Sequence, residues 1–144
     1  NSIRLTDRVF YGFDRENLYF KIQLVDPLSF YEHRKYTLKC FIMDSRDIDF
    51  SLPMIRISPV DFAIHYNNDA GYVAEVIGAG VAAFEDVMEF KLNSRKAGLK
   101  QGEKIKVYFK IVSPEGIELE RVPAAGSIDI VIADDPALFT LWDV

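Results

Sequence analysis

The chain is short of the residues that most often announce chemistry. It has a single Cys and two His among 144 residues, so no internal disulfide can form. The two His come with no nucleophile-and-base arrangement that would suggest covalent catalysis. No apolar run is long enough to cross a bilayer, and neither end carries a secretory or lipidation signal. Positive charge is not in excess either. The formal net charge is −5, with Lys and Arg scattered among acids and no basic stripe to neutralise phosphates. Nucleic acid and anionic membrane are therefore not the expected partners, and a neutral ligand or a protein fits better. The chain opens on Asn1-Ser-Ile without an initiator Met and reads as an excised piece of a longer protein, which leaves its compartment open.

The sustained i, i+3, i+4 apolar stripe of a long amphipathic helix is also missing, and alternation takes its place. With 49% apolar and 13% aromatic residues, the chain has the composition of one folded domain over 1–144, large enough to bury a core without staples. Leu18, Phe20, Ile22 and Leu24 share one strand face, while Tyr19, Lys21 and Gln23 share the other. Ile105, Val107, Phe109 and Ile111 point inward by the same rule, against Lys106, Tyr108 and Lys110. Ile128, Ile130 and Ile132 form a third inward set. In Tyr36 to Met43 both faces are suited to cover, with Cys40 as a small core residue.

Turn chemistry separates these runs at Asp14-Arg-Glu-Asn17, Asn67-Asn-Asp-Ala-Gly71 and Ser113-Pro-Glu-Gly116. The count reaches about nine to eleven short strands, which predicts an all-β, two-sheet antiparallel β-sandwich. Helix is confined to a short piece near Ser94 to Gly98, with Ser94 as N-cap, and a turn through Pro136 to Leu138. Asp26 to Tyr31 and Asp44 to Pro53 read as longer loops, where ligand contacts are easiest to build.

The order of blocks carries a resemblance. The hairpin Val9 to Ile22 contains Phe13-Asp-Arg-Glu-Asn-Leu-Tyr19. It is followed much later by Met88-Glu-Phe-Lys-Leu92, Gly98-Leu-Lys-Gln-Gly-Glu103, the strand Ile105 to Ile111, Glu118-Leu-Glu-Arg-Val-Pro123 and the terminus Trp142-Asp-Val144. This order resembles the C-terminal accessory β-sandwich domain of family-57 glycoside hydrolases, a group related to family 9 carbohydrate-binding modules and to DOMON-like domains. The resemblance implies a noncatalytic module that captures α-glucan or another polysaccharide, or that supports the catalytic domain of its parent chain. No cofactor is expected. A haem-binding DOMON-like domain is the remoter alternative, with His65 and Met43, Met54 or Met88 as axial ligands.

Sugar sites pair an aromatic face with nearby hydrogen-bonding groups. Tyr19 with Lys21 and Gln23, and Tyr108 with Lys106 and Lys110, are the two candidate carbohydrate-binding platforms, against the plain alternative of cross-strand packing. Phe30 and Tyr31 offer a loop pair. Trp142 is expected to close the domain or face a neighbouring one rather than stack on sugar. Acids are plentiful, but none forms a poised catalytic pair, and Glu118 and Glu120 read as solvated. Asp44-Ser-Arg-Asp-Ile-Asp49 holds oxygen ligands suited to calcium but lacks ordered spacing and carries Arg46 in its midst. No metal is expected there.

Overall fold

The aromatic hairpin forms where alternation predicts it. In the computed structural model, residues 4–44, 46–67, 73–132 and 140–143 are described, the side chains of 73 and 140–143 excepted. Strands β1 (Thr6–Phe13) and β2 (Asn17–Leu24) pair antiparallel. Their turn is closed by Asp14 Oδ1, which accepts the amides of Glu16 and Asn17 at 2.8 Å each. After two 3₁₀ turns (Leu28–Phe30 and Glu32–Arg34) come β3 (Thr37–Met43), β4 (Asp47–Pro53), β5 (Ile57–Asn67), β6 (Val73–Phe84), β7 (Met88–Asn93) and β8 (Lys104–Val112). The chain ends with β9 (Glu118–Val122), β10 (Ile128–Val131) and β11 (Thr140–Asp143).

Two local expectations change. The acidic stretch read as a loop becomes β4 from Asp47 onward, because Ile48, Phe50 and Leu52 alternate with Asp47, Asp49 and Ser51 and are buried to within 3%. The segment 94–98 is a turn rather than a helix, and its cap is Asn93, whose Oδ1 accepts the Lys96 amide at 2.9 Å. Ser94 is instead buried. Of the predicted turns, 113–116 is present, with Gly116 at φ 84° and its amide bonded to the Ser113 carbonyl at 2.9 Å. The turns at 68–71 and 136–138 lie outside the described residues. No helix among the described residues is long and apolar enough to cross a membrane.

All pairings are antiparallel, and they form one continuous path in the order β10-β8-β3-β4-β5-β6-β7-β2-β1-β11, with β9 beside β10 on the free side of β8. The all-β expectation therefore holds, but the strands make one nearly closed sheet instead of two separate ones. The long β5–β6 ribbon is the corner. The end of β5 pairs with β4 at Asp49↔His65, whereas its beginning pairs only with the end of β6, which in turn pairs with β7. A register shift between Phe62 and Ile64 marks the bend. At that bend the Phe62 ring occupies the space over Gly80, where an added Cβ would lie 2.1 Å from its Cζ.

Folding over brings the two halves of the path face to face. Phe20 of β2 meets Phe109 of β8 edge-on at 5.5 Å, and Phe90 of β7 meets Phe50 of β4 at 5.7 Å. All four are at most 3% exposed, and burying each contributes roughly 1.5–3 kcal/mol. Cys40 lies in the same core, fully buried, and burial pushes its thiol well above the ordinary range.

One carboxylate bridges strands from far ends of the path. Glu120 of β9 accepts the amide of Thr6 at 2.9 Å through Oε1 and that of Leu5 at 3.3 Å through Oε2. This corrects the solvated reading of that residue. A register shift between Ile111 and Val112 separates its role from that of Glu118, which pairs with Lys110 at 3.0 Å.

Candidate functional site

Because Phe20 and Phe109 meet in the core, the residues beside them in sequence point away from each other. Tyr19 and Tyr108 thus stand on opposite outer faces, and the two candidate platforms are separate.

On the β2 face, Tyr19 donates its hydroxyl to Asp14 Oδ2 at 2.8 Å, and Lys91 of β7 lies 5.9 Å from its ring centroid. Burial, then the hydrogen bond to Asp14, pushes the phenol upward. Burial also works upward on Asp14. There, however, the amides of Glu16 and Asn17, the Tyr19 hydroxyl and nearby Lys91 outweigh it and hold the carboxyl below its ordinary value. Lys21 sits 5.3 Å over Phe10 and opposite Glu89, and Gln23 is exposed.

The β8 face is wired differently. Cross-strand register places Phe41 of β3 directly beside Tyr108, and the rings stack at 4.8 Å with an 11° interplanar angle. Arg121 of β9 covers the other side of Tyr108 at 4.3 Å and is anchored by donating to the Pro123 carbonyl at 2.7 Å. Lys110 lies 5.6 Å over Phe41. Lys39 of β3 stands directly opposite Lys110, and Lys106 opposite Asp129 of β10. Among the described residues, neither Lys39, Lys106 nor the Tyr108 hydroxyl has a hydrogen-bond or ion-pair partner. Phe41, Lys39 and Arg121 belong to this cluster but were not singled out in the sequence, since only the β3–β8 and β8–β9 registers reveal them.

The remaining candidates fall into their own settings. Tyr31 is buried and donates to Asp26 at 3.1 Å, while Phe30 is exposed beneath Arg34. His65 faces outward on β5, with Nε2 3.1 Å from Glu75 and Nδ1 4.0 Å from Asp49, whereas Met54 and Met88 are buried in the core. Trp142 lies in β11 with Val9 as its register partner, and its side chain lies outside the described residues. Among the described residues, no three His, Cys, Asp or Glu come together as a metal site.

Among the described residues, two open clefts also mark the surface. One, of about 640 Å³, lies between residue 44 and the 98–104 segment. In it the Asp44 side chain is 1% exposed and Arg46 donates to the Gly98 carbonyl at 2.7 Å. Glu103 shares a hydrogen bond with Asp44, and this, with burial, pushes its carboxyl upward. Carboxyls in such direct contact leave no gap for a glycosidic oxygen between them. The other cleft, of about 1010 Å³, is lined by Arg56, Ile57, Pro59, Glu85, Asp86 and Glu89, among others. Arg56 is already paired with Glu32 at 2.7 Å.

Compared with protein-family models, curated proteins and solved structures, the chain matches none.

Proposed function

We propose that this chain is a noncatalytic accessory module of a glycoside hydrolase-like protein, binding carbohydrate on the outer face of β3 and β8. The observation that carries the reading is the stacked Phe41–Tyr108 pair bordered by Lys39, Lys106 and the Tyr108 hydroxyl, none of them engaged within the described residues. A face whose hydrogen-bonding groups are uncommitted suits a sugar chain better than one whose polar groups are already partnered. Tyr19, Lys21 and Gln23 form the weaker platform, because Asp14 and Phe10 already engage the first two. The test is affinity electrophoresis through gels carrying soluble α-glucans, β-glucans or acidic polysaccharides. Retardation in at least one gel that Tyr108→Ala abolishes and Tyr19→Ala preserves is the expected result. Equal mobility in every gel would defeat the reading.

A supporting role is the second reading. It draws on Ile55 and Val60, 37% and 48% exposed at the open end of β5 beside the larger cleft, an apolar rim of the kind that docks a neighbouring domain. Its mark is a higher melting temperature of the parent's catalytic region when the module is attached.

A further inference from the structure

We infer that the polysaccharide held on the β3–β8 face is acidic, a chain bearing carboxylate or sulfate groups gripped by Lys39, Lys106, Lys110 and Arg121. The inference rests on the placement of carbohydrate on this face and specifies its chemistry. A sugar hydroxyl both donates and accepts, so a neutral glycan is best met by a mixture of amides, carboxylates and amines. The β3–β8 face offers little but donors. Each nearby carboxylate already has one donor of its own: Glu118 has Lys110 at 3.0 Å, Asp129 the Ser127 hydroxyl at 2.8 Å, and Asp49 the Asn67 amide at 2.7 Å. What is left over is two ammonium groups, which only donate, and a phenol that can donate as well, so a ligand rich in acceptors is their complement.

The ring faces lead to the same ligand. A neutral pyranose needs an aromatic face on which to lay its C–H surface, but Arg121 and Phe41 cover Tyr108 from its two sides, and Lys110 lies over Phe41. The cations over these rings are in position to meet an anion without the rings being uncovered. Lys39 and Lys110 also oppose each other across the β3–β8 ladder, an arrangement that is unfavourable by itself; Glu118 eases it on the Lys110 side, and an anion beside Lys39 would ease it on the other. Lys106 and Lys110 are about 14 Å apart along the strand, wider than one pyranose ring, so the fit is to a polymer. The chain's negative total does not oppose this, because at physiological salt a bound anion senses charges within about 8 Å.

The test uses the 144-residue chain and its Lys39→Ser, Lys106→Ser double variant, with circular dichroism and melting to show that both fold. Both positions are outward and without partners among the described residues, so the fold is expected to be unaffected. Binding is measured to polygalacturonate, chondroitin sulfate, soluble starch, a mixed-linkage β-glucan and polydeoxythymidylate. Expected is binding to one or both acidic polysaccharides that weakens with added salt and falls roughly tenfold in the double variant. Binding to starch or β-glucan alone would overturn the inference while leaving carbohydrate recognition standing. Equal binding to the polynucleotide would overturn it in favour of a general polyanion site. Silence in every assay would remove both this inference and the carbohydrate reading on which it rests.

Discussion

On the β2 face Tyr19 donates to Asp14, Lys91 lies over its ring, and Lys21 rests on Phe10 with Glu89 opposite. On the β8 face Tyr108 has a Lys two residues to either side, where Tyr19 has Asn17 and Lys21, and its hydroxyl, Lys39 and Lys106 find no partner among the described residues. The local sequences, Tyr-Phe-Lys in both cases, are nearly the same. What differs is the neighbour across the ladder: Lys91 and Gly12 beside Tyr19, Phe41 beside Tyr108. A Tyr and its lysines therefore acquire a role from register, and the face whose Tyr hydroxyl is unbonded among the described residues is the one suited to a ligand.

The comparison can be broken most severely from inside. Phe109→Ala removes the ring that meets Phe20 and props up β8, and is expected to cost about 3–5 kcal/mol in chemical denaturation. Tyr108→Ala on the same strand should cost far less, since its ring is only part-buried. Near-equal losses would mean that the outer aromatic pair is part of the core.

A finer contrast comes from removing single oxygens. Tyr19→Phe deletes the donor to Asp14 and should lower stability by about 1 kcal/mol, whereas Tyr108→Phe deletes a hydroxyl with no intramolecular bond and should leave the melting curve in place. Equal effects would erase the distinction between the faces.

The smallest expected effect is in acid. Asp14 is held below its ordinary value of 3.8, so in that range the folded chain binds fewer protons than the unfolded one. Its stabilisation is present above about pH 3.8 and is lost as pH falls through the folded value. Asp14→Asn should flatten the fall in melting temperature below that pH, and an unchanged acid limb would show that the bonds Asp14 accepts, from the Glu16 and Asn17 amides first and the Tyr19 hydroxyl after them, carry no weight.

Much of the architecture was legible because alternation is a local signal. Leu18 to Leu24 and Ile105 to Ile111 needed no partner to declare which side faces the core. All of β4 was missed because its acids, Asp47 and Asp49, masked the same alternation at Ile48, Phe50 and Leu52. The candidate site was half legible. Lys106, Tyr108 and Lys110 follow from one strand, but Phe41, Lys39 and Arg121 join them only through pairing between distant segments. The same convergence turns cations that look scattered along the chain into neighbours on one face. Glu120 was misread for a related reason: a carboxylate reaching two amides of β1 is invisible until the path has curled.

That reach has a mechanical meaning. Among the described residues, Leu5 and Thr6 are fastened to β9 by a side chain rather than by a backbone ladder. One rotation of the Glu120 side chain would release both amides together, while the Leu5 carbonyl would keep its bond from the Val25 amide at 2.8 Å.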